Sequence, residues 1–420
     1  MDFRALPSGP VTLSNVTVPA HLFGQPGDLM RTDLHLADGV ITNQPGEMVD
    51  MAGAMVLPCF TDMHTHLDKG HIWPRASNPD GTFLGALETV RADHANWTAE
   101  ELRVRMGFGL DCAYAHGTRA VRTHLDSIPP QPQVTWPVFS ELREEWRGKI
   151  ELQGVCLIGC DGFSEDGDFR VTADLVAEHD GVLGMVTYPV PDLKERLLGF
   201  FRLAEARGLD ADFHVDETMD ASSETLRLIA ETVIETGFEA PVTVGHCCSL
   251  STQDTARALD TLDLVAKAGI RVVSLPMCNL YLQDRGNGTP RGRGVTLVHE
   301  MRERGIPVSF ASDNTRDPFY AYGDLDMLEV MRQATRIAHL DHSRQDWVDS
   351  FVATPAASCG FAKQSLTQGD PADLVIFKAR EWTELFSRPQ SDRIVLRDGV
   401  AVDRTLPDYA DLDHLWETCR

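Results

Sequence analysis

Short apolar segments alternate with longer amphipathic ones from about residue 98 onward. The apolar segments have the length and composition of strands, whereas the amphipathic ones show the spacing of helices with one buried face. Thr98 followed by Glu101 predicts a capped helix that runs through about Ala115. Further helices are predicted over residues 221–236, 252–267 and 324–339.

Eight strands are predicted between about residue 57 and residue 314. The first leads into His64, and the others are "RAVRTHLDS", "IELQGVCLIG", "GVLGMVTY", "DADFHVDE", "PVTVGHCCS", "RVVSLPMCN" and "PVSFASDN". Because helical patterns lie between most of them, we expect parallel strands joined by helical crossovers. Eight such units over roughly 300 residues predict an α/β fold of the closed (β/α)8 barrel type.

The two ends of the chain show a different pattern. Residues 10–56 and 364–405 contain short strand-like segments, and each region has an Asp-Gly turn, at Gly39 and Gly399. We therefore expect the terminal segments to pair into one small β-domain, a sandwich beside the barrel. The predicted boundaries are 1–56 with 364–420 for the β-domain and 57–363 for the barrel.

The charge balance narrows the choice of partners. The chain has 38 Lys and Arg against 63 Asp and Glu, a formal net charge of −25. Nucleic acids and anionic membranes both require a basic surface, so neither is an expected partner. The sequence has no long apolar run and no signal-peptide core, and its nine cysteines lack metal-binding spacings. We expect buried thiols in a cytoplasmic enzyme.

Residues that can bind a metal ion lie at the ends of four predicted strands. They are His64 and His66 at strand one, His214 and Glu217 at strand five, His246 at strand six and Asp313 at strand eight. In barrel enzymes the functional residues lie at these carboxyl ends. Buried polar groups without partners are costly, so a shared ion explains their placement.

Histidines with a carboxylate suit Zn²⁺ or Fe²⁺, either of which lowers the pKa of bound water toward neutrality. Strands three and four end in "LIGC" and "VTYP", without a lysine that would bridge a second ion, so one divalent ion is predicted. Each residue also has a simpler explanation: His64 and His66 fit a structural pair, and Asp313 fits a helix cap. Placement at four strand ends favours the metal site.

Several motifs resemble the amidohydrolase superfamily and, within it, the cytosine deaminase branch. They are "FTDMHTHLDK", "RTHLD", "FHVDE", "GHCCS", "NLYLQDR", "RGRGVTLVHEM" and "FASDNTRDPFYAYGDLDML". The resemblance spans nearly the whole chain. It implies a metal-dependent deaminase that acts on a small nitrogen heterocycle, and it implies a homo-oligomer, since oligomers are common in the family.

The resemblance also assigns roles to individual residues. The implied metal ligands are His64, His66, His214 and Asp313. Glu217 would carry a proton from the attacking water to the ring nitrogen, and His246 would orient that water. Asp313 would act a second time, as the base that passes a proton to the departing amine.

Three positions depart from the cytosine deaminase pattern. Gly159 stands where that branch has a glutamine that binds the pyrimidine, Asn314 replaces an acid, and Phe319 replaces a tryptophan. We expect these residues to contact substrate in a pocket that is roomier and less negative on one side. Such changes alter which ring an enzyme accepts. The resemblance therefore predicts the class of reaction better than it predicts the substrate.

Two further residues are left with two interpretations each. Gln283 fits either a pocket residue or a loop cap. Lys69 resembles a lysine of triazine-ring aminohydrolases in the same superfamily, but we favour a surface lysine paired with Asp68.

The leading functional hypothesis is hydrolytic deamination of cytosine or a related pyrimidine or triazine-type ring, with release of ammonia. Two catalytic alternatives stay open: ring-opening hydrolysis of a cyclic amide, and release of a substituted amine from a triazine. A barrel that binds metal and ligand without turnover is disfavoured, because it would not need the proton-carrying Glu217.

Overall fold

A computed structural model gives the structure of residues 6–286, 288–342 and 346–416. Its strands are β1 (Val11–Pro19), β2 (Leu29–Ala37), β3 (Val40–Thr42), β4 (Glu47–Asp50), β5 (Met55–Pro58), β6 (Phe60–Thr65), β7 (Thr118–Asp126), β8 (Glu151–Leu157), β9 (Leu183–Thr187), β10 (Ala211–Val215), β11 (Val242–His246), β12 (Arg271–Ser274), β13 (Val308–Phe310), β14 (Leu374–Phe377), β15 (Ile394–Arg397) and β16 (Val400–Ala401). Its α-helices are α1 (Phe83–Asp93), α2 (Ala99–His116), α3 (Pro132–Glu145), α4 (Asp168–Glu178), α5 (Leu193–Glu205), α6 (Thr225–Thr236), α7 (Thr255–Lys267), α8 (Pro276–Leu282), α9 (Val298–Glu303), α10 (Met327–Ile337), α11 (Ala353–Cys359) and α12 (Trp382–Ser387).

The strands β6 to β13 form a closed parallel barrel. They pair in chain order within a three-stranded group, β6 to β8, and a five-stranded group, β9 to β13. Parallel bridges Val155–Val182 and Gly159–Val186 join β8 to β9, and the bridge Thr65–Asp313 joins the first strand to the segment after the last. The predicted (β/α)8 barrel is therefore confirmed, and each predicted strand is present.

Successive side chains of a barrel strand point alternately into the barrel and toward the outer helices. On β10 a polar side chain points inward and an aromatic one outward. On β10, Asp212 Oδ2 accepts a hydrogen bond of 2.7 Å from Arg122 Nη1 inside the barrel. The next residue, Phe213, faces the other way, and its ring centre lies 4.6 Å from that of Phe200 on α5. Burial of one such aromatic side chain contributes about 1.5–3 kcal/mol. The strands are thus held from outside by the helices, which leaves the interior face available for polar residues.

The predicted helices are present, with later starts than expected. Thr98 caps α2, since its hydroxyl accepts from the amide of Glu101 at 3.2 Å. The segments 221–236 and 324–339 begin with non-helical residues, and their helices start at Thr225 and Met327. Asp326, not Asp313, caps α10, so the helix-cap interpretation of Asp313 is wrong.

The terminal segments pair into one mixed sheet of eight strands. Its order is β16-β15-β14-β5-β1-β2-β3, with β4 also paired to β1. The carboxyl-terminal β14 lies antiparallel to β5, directly before the first barrel strand. The hydrogen bonding gives a single sheet, so a two-sheet sandwich is not confirmed. The domain boundaries stay a prediction, and residues 1–5 and 417–420 lie outside the described residues.

Eight cysteines are buried and free within the described residues. Burial raises the pKa of the Cys59 thiol to about 12, which keeps it protonated and unreactive. Across the same residues, no helix combines the length and the apolar character that crossing a membrane would require.

His21 connects the terminal sheet to the barrel and generates the first prediction. It pairs with Asp346 and with Asp349, the latter at 3.3 Å. Partial burial disfavours the imidazolium, but the two aspartates outweigh this effect and raise the pKa of His21 to about 9. The folded state therefore binds a proton that the unfolded state releases above its own pKa of about 6.5.

We expect the free energy of unfolding to fall between about pH 6.5 and 9, because the paired imidazolium loses its proton over this range. Urea unfolding of the parent and of His21→Gln at pH 6, 7.5 and 9 measures this effect. The variant should be less stable than the parent at pH 6 and nearly equal to it above pH 9. A constant difference at all three values would contradict the assignment.

Candidate active site

Four side chains from three parts of the barrel converge on one point. His64 Nε2 lies 3.1 Å from His214 Nε2, and His66 Nε2 lies 3.4 Å from the same atom. Asp313 Oδ1 lies 3.2 Å from His66 Nε2 and 3.6 Å from His64 Nε2. All four side chains are buried. The strand pairing that closes the barrel accounts for this convergence, because it places β6 between β7 and Asp313.

The donor atoms have the spacing of ligands that share one ion. Ligands held at about 2.1 Å in a tetrahedron lie about 3.4 Å apart, and the four measured distances bracket this value. Both carboxylate oxygens of Asp313 lack a hydrogen-bond donor among the described residues. A buried carboxylate without donors is costly, and a divalent cation removes that cost. The donor set of three imidazoles and one carboxylate therefore fits a divalent ion.

A further histidine, which sequence reasoning missed, lies beneath this group. The ring of His124 is centred 4.0 Å from that of His64 and 4.7 Å from that of His214. Its Nε2 lies 3.3 Å from Asp212 Oδ1. The buried residues of one cluster that can hold a metal ion are thus His64, His66, His124 and His214. The signal was present, since "RTHLD" also places a histidine near a strand end.

Glu217 and His246 lie beside the metal-binding group, on the loops after β10 and at the end of β11. His246 Nδ1 is 3.4 Å from Glu217 Oε1. Asn279 of α8 lies between them, with Nδ2 3.0 Å from His246 Nδ1 and 3.3 Å from Glu217 Oε1. Because the amide donates to Nδ1, the proton of neutral His246 is on Nε2. That buried nitrogen has no partner among the described residues, so it offers a donor to a ligand.

Burial sets the protonation states of these groups. Desolvation, followed by the charge of Asp313, raises the pKa of Glu217 well above its ordinary value. Desolvation, with a contribution from His124, lowers the pKa of His246 to about 3. Burial therefore favours the protonated form of Glu217, and it keeps His246 a neutral imidazole near pH 7. Acid and donor groups of this kind are what general acid catalysis requires.

Lys69 is buried, so its favoured interpretation as a surface lysine paired with Asp68 is wrong. Its Nζ donates to Asp126 Oδ1 at 2.6 Å, and His94 Nε2 lies 3.0 Å from the second oxygen of that carboxylate. Asp68 instead accepts from the backbone amide of Asp126. The ammonium also lies 5.7 Å from the ring centre of Phe319. Lys69 is thus a fixed cation at the ends of the first two barrel strands.

The side chains expected to contact substrate already have partners within the protein. Gln283 caps α8 and donates through Nε2 to the backbone oxygen of Glu217 at 3.2 Å. Asn314 donates to Asp317 Oδ2 at 2.7 Å, so its amide is already engaged. Phe319 packs edge to face on Phe83, with 5.4 Å between ring centres. Gln283 and Asn314 therefore support neighbouring loops, whatever they contribute to binding.

The sequence predicts a roomier pocket beside Gly159. The structure contradicts this, because other side chains fill the space. A Cβ atom at position 159 would lie 2.5 Å from Asp161 Oδ1 and 2.9 Å from the Tyr188 hydroxyl. A carboxylate therefore occupies the space into which a glutamine would extend, and this side of the pocket is more negative than expected. Sequence reasoning missed both residues, since Tyr188 is 29 positions from Gly159 and meets it only through the pairing of β8 with β9.

A closed parallel barrel with buried histidines and carboxylates at the carboxyl ends of its strands defines a metal-binding barrel of the hydrolase type. The model of the Amidohydrolase family matches residues 47–135 and 168–403. The chain belongs to the amidohydrolase family. The predicted superfamily resemblance is confirmed.

Known proteins resemble the chain to different degrees. It is 53% identical to pterin deaminase from Rhizobium rhizogenes strain K84 over 417 residues, which cover 96% of this chain and 95% of that protein. It is 24% identical over 374 residues to N-isopropylammelide isopropyl amidohydrolase from Pseudomonas sp. strain ADP, covering 84% and 89% of the two chains. The crystal structure of 5-methylcytosine deaminase from Klebsiella pneumoniae superposes with a TM-score of 0.81 at 24% identity, covering 95% of this chain and 98% of the other.

The convergence of His64 and His66 generates the second prediction. Replacement of both by Ala should abolish stoichiometric metal binding, because two of the four clustered donors are lost. Metal analysis of the purified protein measures this outcome, with circular dichroism to establish folding. The matched control is His299→Ala, a histidine on α9 whose ring bonds the backbone oxygen of Ala338. A folded double variant that kept one equivalent of metal would refute the ligand assignment.

Proposed function

We propose that the chain is a metal-dependent deaminase that hydrolyses the 2-amino group of a pterin-type ring and releases ammonia. The chain has the fold and family of enzymes that hydrolyse C–N bonds in heterocycles. The 53% identity to pterin deaminase over nearly the whole chain supports the choice of ring. The observation that carries the reaction type is the partly buried Glu217 carboxyl, which lies 3.4 Å from His246 Nδ1 and whose pKa desolvation raises above its ordinary value.

One divalent ion, Zn²⁺ or Fe²⁺, would be held by His64, His66, His214 and Asp313. Bound there, it supplies a nucleophilic water at neutral pH. The remaining chemistry falls to the side chains of the chain itself. Assembly into a homo-oligomer and residence in the cytoplasm stay predictions.

Glu217 supplies the proton that the ring needs. Attack of water at the carbon bearing the amine places negative charge on the adjacent ring nitrogen, and a protonated carboxyl neutralises that charge. Asn279 holds the Glu217 carboxyl at 3.3 Å and so fixes its orientation. The proton released by the water then restores Glu217 to its acid form.

His246 and Asp313 would complete the reaction. The Nε2–H of His246 is an unpaired donor that orients the water oxygen and stabilises its growing charge. Asp313 is the base that takes the second proton of the water and passes it to the amine. The amine leaves as neutral ammonia, and the ring carbon keeps the oxygen, so atoms and charges balance.

Lys69 and Phe319 would hold the ring. The Lys69 ammonium is buried and held by Asp126, which leaves donor capacity for a ring acceptor. The Phe319 side chain is 9% exposed and offers an aromatic face or edge to a flat heterocycle. A fused two-ring substrate would bury more surface on such a wall than a single pyrimidine.

Removal of the acid tests the reaction type. Glu217→Gln should keep its metal but lose kcat by roughly 10² to 10⁴, because the amide cannot deliver the proton. Steady-state ammonia release and metal analysis measure the two effects. Glu239→Gln, an exposed position on the loop after α6, is the matched control. Activity of Glu217→Gln within about twofold of the parent would remove Glu217 from the mechanism.

A substrate panel tests the ring. We expect kcat/KM for pterin to exceed that for cytosine by at least about tenfold, equivalent to about 1.4 kcal/mol. Ammonia release should be measured with pterin, cytosine, isocytosine, guanine, creatinine and an aminotriazine, and amine release with an alkylaminotriazine. Cytosine or the alkylaminotriazine as the best substrate would overturn the proposed ring. A new carboxylate without ammonia would indicate ring opening instead.

A further inference from the structure

Strand register places Gly159 and Tyr188 on the interior face of the barrel mouth. Gln153 of β8 faces inward, since its Oε1 accepts from Arg122 Nε at 2.7 Å, and alternation carries this face through 155 and 157 to Gly159. Gly159 pairs with Val186, which in turn pairs with the inward-facing His214. Two residues beyond Val186, Tyr188 therefore shares the face of a metal-binding histidine.

Two polar groups meet at this point. The Tyr188 hydroxyl and the Asp161 carboxylate both lie beside the α-carbon of Gly159. Both groups lie within 3 Å of the place that a side chain at 159 would occupy, at 2.5 Å for the carboxylate and 2.9 Å for the hydroxyl. Because Gly159 has no side chain, the pair can project over it into the mouth of the barrel.

The loop that carries Asp161 is held from below. Arg196 of α5 donates through Nη1 to the backbone oxygens of Cys160 at 2.7 Å, Asp161 at 3.1 Å and Phe163 at 3.2 Å. The Cys160 thiol donates to the backbone oxygen of Tyr188 at 3.6 Å, which ties the two loops together. The carboxylate and the hydroxyl are thus positioned before any ligand arrives.

We propose that Asp161 and Tyr188 together bind the –NH–C(=O)– edge of the substrate ring and so select an amino-oxo heterocycle. This inference rests on the proposed function. An ionised carboxylate is an acceptor only, so Asp161 takes the ring N–H. A phenol hydroxyl can turn, so Tyr188 donates to the adjacent ring carbonyl.

The pair offers the same acceptor and donor as one carboxamide would. Here the acceptor and the donor come from two separate side chains, one following β8 and one following β9. The space beside Gly159 is thus taken by the two polar groups that contact the ring edge. The carboxylate also makes the edge contact charge-assisted, which strengthens it relative to a neutral amide.

The test compares binding with turnover in the metal-loaded enzyme. Asp161→Ala should lower kcat/KM for pterin roughly tenfold to a hundredfold and weaken inhibition by lumazine, the deaminated ring with the same edge, by a similar factor. Tyr188→Phe should show a smaller loss, with KM affected more than kcat. Asp220→Ala, an exposed carboxylate in the turn after β10, is the matched control and should stay within about twofold of the parent.

A rescue variant separates ring binding from a general structural role. Gly159→Gln alone should be impaired, because its Cβ would crowd Asp161. Gly159→Gln with Asp161→Ala should recover activity relative to Asp161→Ala, since the new amide supplies both hydrogen bonds where the carboxylate stood. Metal content should match the parent in all of these variants, and the thermal midpoint should match it in Asp161→Ala and Tyr188→Phe.

The outcomes distinguish this inference from the proposed function. A parent that releases ammonia from no amino-oxo ring contradicts both. A parent that deaminates such a ring, with Asp161→Ala and Tyr188→Phe both unchanged in kcat/KM and in lumazine inhibition, overturns only the edge-binding pair. Equal losses of metal in these variants would likewise show that the pair acts structurally and not on the ring.

Discussion

The closure of the barrel between its first and last strands is the constraint on which the site depends. Thr65 bridges Asp313, and the amide of Asp313 donates to the backbone oxygen of His64 at 2.9 Å. This one contact sets the Asp313 carboxylate within 3.6 Å of two imidazoles that arrive from the opposite end of the barrel region. Asp62 reinforces it, since its carboxylate accepts from the amide of Ser312 at 3.1 Å. Loss of the closure would separate the donors by whole strands, so metal binding depends on the closed barrel.

The barrel interior concentrates ionisable groups that water would otherwise solvate. Desolvation, followed by the nearby Asp317, raises the pKa of Asp313 to about 8, and desolvation raises the pKa of Glu217 as well. The backbone at Asp313 and at His246 adopts left-handed conformations, with φ of 68° and 69°. Such conformations cost of order 1–3 kcal/mol in residues other than glycine, and they persist here because the surrounding strands leave no alternative. A cation bound among these groups offsets part of both costs.

Much of this arrangement follows from local sequence, and the rest does not. The alternation of short apolar runs with helical patterns predicted the strand order, and strand-end placement predicted that His64, His214 and Asp313 would meet. These features depend on periodicity alone. The burial of Lys69 depends on Asp126, 57 positions away, and no local signal distinguishes such a lysine from a surface one. The crowding at Gly159 likewise arises from a neighbouring strand. Local patterns thus identify which strands carry the chemistry, whereas contacts between loops decide what surrounds it.

The proposed catalytic residues and the proposed ring-binding pair lie in different parts of the barrel for a physical reason. Metal ligands must hold their donor atoms to within a few tenths of an ångström, so the proposed ligands His64 and His214 lie on strands. Side chains that hydrogen-bond to the edge of a ring can vary more in position, because a hydrogen bond forms over a range of distances and angles. Asp161 and Tyr188 lie accordingly beyond the ends of β8 and β9, and the Arg196 side chain binds the backbone around Asp161. A change in these two loops can therefore alter the accepted heterocycle while the metal-binding group and its proton donor stay in place.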